Sequence, residues 1–272
     1  MHSGPAHATG AARLAAEAAL RAGAGVVTMA SDTQATLINA AHLTEVMQHT
    51  VTTDEAFEEL LTDRRIDCAL MGPGNGIEPS LNNRVAHALK VCRHIVIDAD
   101  AISAYSAIGS ETSESLFKLI KESSANVVMT PHEAEFERLF DDIEIVTKHI
   151  SKVCRVRAAA ILSGAIIVLK GADTIVADPD GFAVINTGAS PWLATAGSGD
   201  VLAGTVAALL AQYRLVDQSA LPDKAMSATC IAVWMHSRAA RLAGPGLIAS
   251  DLPKQYRQII QELMDLTVVS RE

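Results

Sequence analysis

The chain has 272 residues, of which 49% are hydrophobic and 4% aromatic, and its formal net charge is −9. A chain of this length can bury a large core, and a core rich in Ala, Val, Leu and Ile suits helices packed on a parallel sheet. The acidic balance provides no general positive field for a phosphate backbone, so we expect no nucleic-acid partner.

The chain also lacks the patterns of secreted, metal-binding and membrane proteins. Its four cysteines are far apart and form no C-x-x-C pair, which argues against a zinc site or a disulfide framework. The long apolar stretch Val201–Leu210 is too short to span a bilayer, and no secretory signal opens the sequence. We therefore expect a cytoplasmic protein without a membrane partner.

Short β-branched runs alternate with longer helical patterns, which predicts an α/β fold with a central, mostly parallel sheet and helices on both faces. No linker or repeat interrupts the pattern, so we expect one domain over residues 1–272. The predicted strands are Val26–Ala30, Cys68–Met71, His94–Asp98, Val127–Thr130, Ile166–Lys170, Thr174–Ala177 and Ala183–Ile185. The predicted helices are Ala11–Ala22, Leu81–Val91, Ser113–Glu122, His132–Phe140, Thr147–Ser163, Val201–Gln212, Asp223–Leu242 and Asp251–Leu263. The turn sequence Asp178–Gly181 predicts that the last two strands form a hairpin.

Unusual residues follow several predicted strands. In parallel sheets, ligands bind beyond the carboxyl ends of the strands, so these residues predict a site at one edge. They are the loop Gly72–Gly76, the pair Asp98 and Asp100, the tripeptide Thr130–His132, and Lys170 with Gly171.

The segment Gly197–Asp200 immediately precedes a helical run. Its small residues let backbone N–H groups approach an anion closely, and the first helical turn adds roughly half a positive charge. A phosphoryl group in transfer would be held well there. Asp200 could take a proton from an attacking hydroxyl, or it could be the N-cap of the helix.

The other candidates also have two interpretations each. Lys170 could neutralise phosphate oxygens or be a solvated lysine at a strand end. His132 could face a ligand or be a polar residue that starts a helix. Asp98 and Asp100 could hold a metal or cap the following turn. Neither a P-loop nor a Rossmann glycine motif is present.

Several segments, in order, resemble the NAD(P)H-hydrate dehydratase family, a branch of the ribokinase-like fold. The likeness covers roughly residues 4 to 255, and the joint order and spacing of the segments make it specific. The segments are Gly10–Ala15, Arg21–Thr28, Gly72–Gly74, Ile97–Ala101, Thr130–Glu133, Val168–Thr174, Asn186–Gly188, Ala194–Gly204, His236, Ala239 and Ser250–Leu252.

The resemblance implies a lyase that repairs hydrated NADH and NADPH, with ADP or ATP as co-substrate and Mg2+ as cofactor. It implies a homo-oligomer, most often a tetramer. It assigns the nucleotide to Lys170, Gly171, Ala172, Asp173, Thr174, Gly197, Ser198 and Gly199. It assigns the hydrated cofactor to Ala11, Gly74, His132 and Asp200, with Asp200 as the catalytic base.

The chain departs from the family pattern in three places. The family usually begins with a strand and a Gly-Gly-Ser turn, whereas this chain starts almost at the first helix, so we expect that strand to be missing. Its loss would expose a sheet edge unless another segment fills the place. Ala134 stands where Gly is usual. The epimerase domain that often accompanies the family is absent, so only the dehydratase half is predicted.

Two other functions stay open at this point. A small-molecule kinase of the same fold, acting on a hydroxymethyl group of a vitamin precursor, would use the same anion site and base. A nucleotide-binding protein without catalytic activity is the third possibility. A kinase would leave a phosphorylated product, whereas a dehydratase would release phosphate and regenerate reduced cofactor.

Overall fold

The computed structural model describes residues 1–106, 110–140, 143–148, 151–212 and 224–269. Eight strands are present in this part of the chain: β1 (Thr28–Ser31), β2 (Met47–Thr50), β3 (Cys68–Met71), β4 (His94–Ile97), β5 (Asn126–Met129), β6 (Ile166–Leu169), β7 (Thr174–Ala177) and β8 (Ala183–Asn186). The strands from β3 to β8 form one sheet in chain order. Pairing is parallel from β3 to β6 and antiparallel from β6 to β8. The predicted mostly parallel sheet and the predicted hairpin are therefore confirmed.

Helices cover both faces of this sheet, as predicted. They are α1 (Thr9–Arg21), α2 (Thr33–His42), α3 (Asp54–Leu61), α4 (Pro79–Val91), α5 (Ala99–Ser106), α6 (Ser110–Glu122), α7 (Glu133–Phe140), α8 (Glu144–Thr147), α9 (Lys152–Ser163), α10 (Ser198–Ala211), α11 (Lys224–Ala243) and α12 (Leu252–Val269). Alternate residues of a strand face opposite layers. Thus Ile95 and Ile97 join the core under α4 to α6, while Val96 packs with α10 and α11 on the other face.

The first three residues occupy part of the place of the expected missing strand. No strand precedes α1 in the described chain, but the His2 amide donates to Leu70 of β3 and the Ser3 amide donates to Ala30 of β1. The amide of Ala30 donates in turn to Met1. This short segment therefore bridges the two-stranded β1–β2 sheet to the main sheet. Along these residues, the sheet edge that we expected to be exposed is covered.

The sequence-based prediction missed five elements: α2, β2, α3, α5 and, except for its last residue, α8. The strand β2 is mostly exposed and polar, so it carries no alternating apolar pattern. Helix α5 begins directly after a strand with Ala99 at a φ of 47°, a conformation that L-residues rarely adopt. The helix predicted over Thr147–Ser163 was also wrong in its extent, because α8 ends at Thr147 and α9 begins at Lys152.

Helices α1 and α10 pack unusually closely. A Cβ on Gly204 of α10 would lie 2.1 Å from the carbonyl oxygen of Ala15 in α1. Only glycine allows the backbones to approach so closely. This contact fixes the start of α10 relative to α1, and both helices begin at the edge where the sequence predicts a site. No helix in the described ranges is long and apolar enough to cross a membrane.

Candidate active site

A buried ion pair lies at the carboxyl ends of β4 and β6. Lys170 Nζ is 2.8 Å from Asp98 Oδ1 and 3.9 Å from Glu135 Oε2. Burial alone would lower the pKa of Lys170, but the neighbouring Asp98 and Glu135 carboxylates outweigh it and raise that pKa. Lys170 is therefore a charged residue in the interior of the site, and its interpretation as a solvated lysine is wrong.

The turn that precedes α10 faces this ion pair. Gly197 is the N-cap of the helix, with a φ of 87°, and a Cβ there would come within 2.6 Å of Leu14 Cδ1. A Cβ on Gly199 would lie 3.3 Å from Lys170 Nζ, so the lysine ammonium group lies directly against this turn. Within the described residues, the amides of Gly199 and Asp200 meet no protein acceptor, as expected for a first helical turn. Free amides at a helix N-terminus and an ammonium group both attract anions, so Gly197–Gly199 is a candidate anion-binding turn.

Asp200 is the third residue of α10 and does not cap it, because Gly197 occupies the N-cap position. Its interpretation as a simple N-cap is therefore wrong. Burial, then the negative charges of Asp98, Asp100 and Glu135, raise the pKa of Asp200 to about 7, while Lys170 opposes the shift. A carboxylate with a pKa near the operating pH is well matched to accept a proton.

His132 starts α7 through a reciprocal pair of hydrogen bonds. Its Nδ1 accepts from the Glu135 amide at 3.2 Å, and its own amide donates to Glu135 Oε2 at 2.8 Å. The His132 side chain is 52% exposed and lies at the same sheet edge, because the Lys170 amide donates to the carbonyl of Pro131. His132 is thus a helix start, and its half-exposed ring lies against Glu135, with Nε2 at 3.4 Å from Glu135 Oε1.

The loop Gly72–Gly76 lies next to Asp98 of the ion pair, because a Cβ on Gly72 would be 1.7 Å from the Asp98 carbonyl oxygen. A Cβ on Gly74 would come within 3.4 Å of Ala11 Cβ, so these two predicted substrate residues are neighbours. The Gly76 amide donates to Asp100 Oδ2 at 2.8 Å, which makes Asp100 a support of this loop. In the described part of the chain, no three Asp, Glu, His or Cys side chains meet closely enough to hold a metal.

The segment after Lys170 is a tight, exposed turn. The Thr174 hydroxyl donates to the Gly171 carbonyl at 3.0 Å, while Gly171, Ala172 and Asp173 are exposed. The Asp173 carboxylate pairs with Lys152 of α9 at 2.7 Å. The structure therefore presents the backbone of this turn next to Lys170, but it directs the Asp173 side chain to Lys152.

The sequence-based prediction gave no site role to two buried groups that support these residues. Glu135 follows His132 by three residues and their reciprocal hydrogen bonds resemble a capping box, but a histidine at the N-cap gives no such signal in the sequence. His236 of α11 donates through Nε2 to the Ser198 carbonyl at 2.9 Å, and burial lowers its pKa to about 4. A neutral His236 thus buttresses the anion-binding turn from behind, a contact that only the packing of α11 on α10 creates.

The sheet, its helix layers and this glycine turn beside a buried lysine define a ribokinase-like α/β protein. The model of the NAD(P)H-hydrate dehydratase family matches residues 3–262, and the chain belongs to that family.

Two relatives illustrate the similarity in sequence. A bifunctional NAD(P)H-hydrate repair enzyme of Gloeobacter violaceus is 35% identical over 237 residues, covering 85% of this chain and 42% of that protein. An ADP-dependent (S)-NAD(P)H-hydrate dehydratase of Neisseria meningitidis is 33% identical over 241 residues, covering 87% and 74%. The chain thus spans less than half the length of the bifunctional relative.

A solved structure is similar in fold. The ADP/ATP-dependent NAD(P)H-hydrate dehydratase from Bacillus subtilis, co-crystallised with ATP and Mg2+ and soaked with CoA, superposes with a TM-score of 0.74 at 24% identity. The superposition covers 96% of this chain and 90% of that chain.

Proposed function

We propose that this protein removes water from the S form of hydrated NADH and NADPH, with ADP or ATP as co-substrate, and releases phosphate with AMP or ADP. The observation that carries the proposal is the position of Asp200, whose pKa is raised to about 7, in the first turn of an anion-binding helix beside Lys170. Membership of the NAD(P)H-hydrate dehydratase family supports the choice of substrate.

The chemistry overcomes a poor leaving group. Asp200 takes the proton of the ring hydroxyl as its oxygen attacks the terminal phosphoryl group of the nucleotide. The amides of Gly199 and Asp200 and the ammonium group of Lys170 stabilise the charge on the phosphoryl oxygens. The lone pair of the ring nitrogen then expels phosphate, and loss of a proton from the adjacent ring carbon restores the dihydropyridine.

The remaining residues would bind the two substrates. We assign the nucleotide to the turn from Lys170 to Thr174 and to Gly197–Gly199, which lie against each other at Lys170 Nζ. We assign the hydrated cofactor to Ala11, Gly74, His132 and Asp200. The proximity of Gly74 to Ala11 and the location of His132 at the edge that holds Lys170 support this division.

Magnesium enters this scheme with the nucleotide. Several carboxylates surround a single lysine here, yet the described side chains do not form a metal site by themselves. Mg2+ typically binds through phosphates, waters and few carboxylates. We therefore treat it as part of a magnesium–nucleotide substrate and not as a resident ion.

The decisive experiment mixes the purified protein with hydrated NADH and either ADP or ATP. We expect NADH absorbance to appear together with one free phosphate for each nucleotide consumed. A stable phosphorylated product without NADH would instead indicate a kinase. Thermal stabilisation by nucleotide without any turnover would indicate a non-catalytic nucleotide-binding protein.

The pH dependence provides a second prediction. Because Asp200 must be deprotonated to act as a base, kcat/KM should rise with pH and level off above the Asp200 pKa of about 7. Initial rates over a pH series at saturating nucleotide measure this rising part of the profile, which we call the pH limb. A limb near the ordinary pKa of an aspartate, or a flat profile, would contradict the assignment of Asp200 as the base.

We also propose, from the family resemblance, that residues 1–272 act as one domain, that the protein is cytoplasmic, and that it assembles as a homotetramer. The continuous main sheet with helices on both faces supports the single domain.

A further inference from the structure

We propose that Asp98 is the positioning residue of this site, because it holds the Lys170 ammonium group against the anion-binding turn without contacting substrate itself. This role rests on the proposed function, and Asp98 acts through two other residues, Lys170 and Asp200. Asp98 is buried, with 1% of its side chain exposed, and Lys170 is its cationic partner at 2.8 Å.

Several features of the fold fix the position of Asp98. A Cβ on Gly72, whose φ is 120°, would lie 1.7 Å from the Asp98 carbonyl oxygen, so glycine is required for this approach. The Thr130 hydroxyl donates to Asp98 Oδ1 at 2.7 Å. The next residue, Ala99, has a positive φ, and such strain persists only where the surroundings determine it. The Asp98 backbone is therefore confined by the close approach of Gly72, while the Thr130 hydroxyl holds its carboxylate.

This fixed carboxylate determines where the lysine lies. A lysine side chain is long and flexible, and its charge is useful for phosphate binding only if it stays in one place. Asp98 Oδ1 accepts from both Thr130 and Lys170, and it holds Nζ next to Gly199. Glu135 is farther from Nζ, at 3.9 Å, and its Oε2 already accepts the His132 amide. Asp98 thus makes the closer contact with the lysine.

Asp98 also affects the base. The charged groups that face Asp200 are Asp98, Asp100, Glu135 and Lys170, and Asp98 is the strongest of them in raising the Asp200 pKa after burial itself. His236, behind the turn, is neutral. Removing the Asp98 charge lowers the Asp200 pKa directly. It also frees Lys170 to approach Asp200, which acts in the same direction.

The test compares Asp98→Asn with the wild type in two measurements. Calorimetric titration with ADP and with ATP should show about 10- to 100-fold weaker binding, because the lysine is no longer fixed. The pH limb of kcat/KM should move to lower pH by about one unit. A matched control is Asp178→Asn, which alters a buried aspartate that accepts the Phe182 amide in the β7–β8 hairpin. It should lower thermal stability and leave both measurements unchanged.

The outcomes separate this inference from the proposed function. Nucleotide affinity within twofold of the wild type, with an unmoved limb, would mean that Asp98 is only structural and would overturn the inference. If the wild type binds nucleotide but does not turn over hydrated NADH, the proposed function fails, while the binding comparison still judges Asp98.

If Asp98→Asn does not fold, a second pair of variants tests the role of Asp98. Thr130→Val removes the hydroxyl that holds Asp98 and keeps the charge, so nucleotide binding should weaken several-fold without a shift of the limb. Thr130→Ser restores the hydroxyl and should restore binding. Wild-type affinity in Thr130→Val would overturn the inference.

Discussion

Asp200→Asn should lower kcat by about 1,000-fold while leaving nucleotide affinity within a few-fold of the wild type. The substitution preserves the shape of the side chain but removes the acceptor for the hydroxyl proton, and general-base catalysis contributes roughly 100- to 10,000-fold. Single-turnover formation of NADH measures the loss, and calorimetric titration of ADP or ATP measures the affinity. Retention of the full dehydration rate would refute the role of Asp200.

The stability of this variant provides an internal control. The raised pKa means that the folded protein favours protonated Asp200. Protonated Asp200 therefore contributes fully to the stability of the folded protein below the unfolded pKa of 3.8. This contribution is lost as the pH rises through about 7. A neutral asparagine avoids that loss, so Asp200→Asn should melt at a higher temperature than the wild type at about pH 8. A loss of activity together with a gain in stability cannot be attributed to unfolding.

Gly204→Ala should strongly destabilise this protein. The added Cβ would lie 2.1 Å from the Ala15 carbonyl oxygen, and backbone cannot yield as a flexible side chain can. Overpacking of this kind costs about 3 kcal/mol, while the better helix propensity of alanine returns about 1 kcal/mol. We expect a net loss of about 2 kcal/mol in the free energy of unfolding, measured as a lower urea midpoint.

The matched control for this substitution is Gly10→Ala in α1. A Cβ at Gly10 would meet no atom within 4 Å, so the same chemical change should stabilise the protein by about 0.5–1 kcal/mol. Gly204→Ala should also reduce turnover, because separating α1 from α10 displaces the anion-binding turn. Equal stability of the two variants would show that the close helix contact does not determine the packing.

The local patterns of the sequence determined the elements that have strong periodicity or turn chemistry. The apolar runs at Cys68–Met71 and Thr174–Ala177 gave the exact bounds of β3 and β7. The prediction was weaker where tertiary contacts replace a pattern. The strand β2 is polar and mostly exposed, and α5 begins at a strained residue that no local propensity favours. The three residues Met1–Ser3 carry no recognisable signal and pair only because β1 and β3 flank them.

The sequence by itself determined which side chains lie at the carboxyl edge of the sheet, because parallel strands carry their following loops to one side. Only the tertiary structure decided what those side chains do to one another. The pairing of Lys170 with Asp98, across 72 positions of the chain, and the burial that raises the pKa of Asp200 depend on distances between separate strands and helices. Charge interactions and desolvation follow three-dimensional distance, which spacing along the chain does not encode.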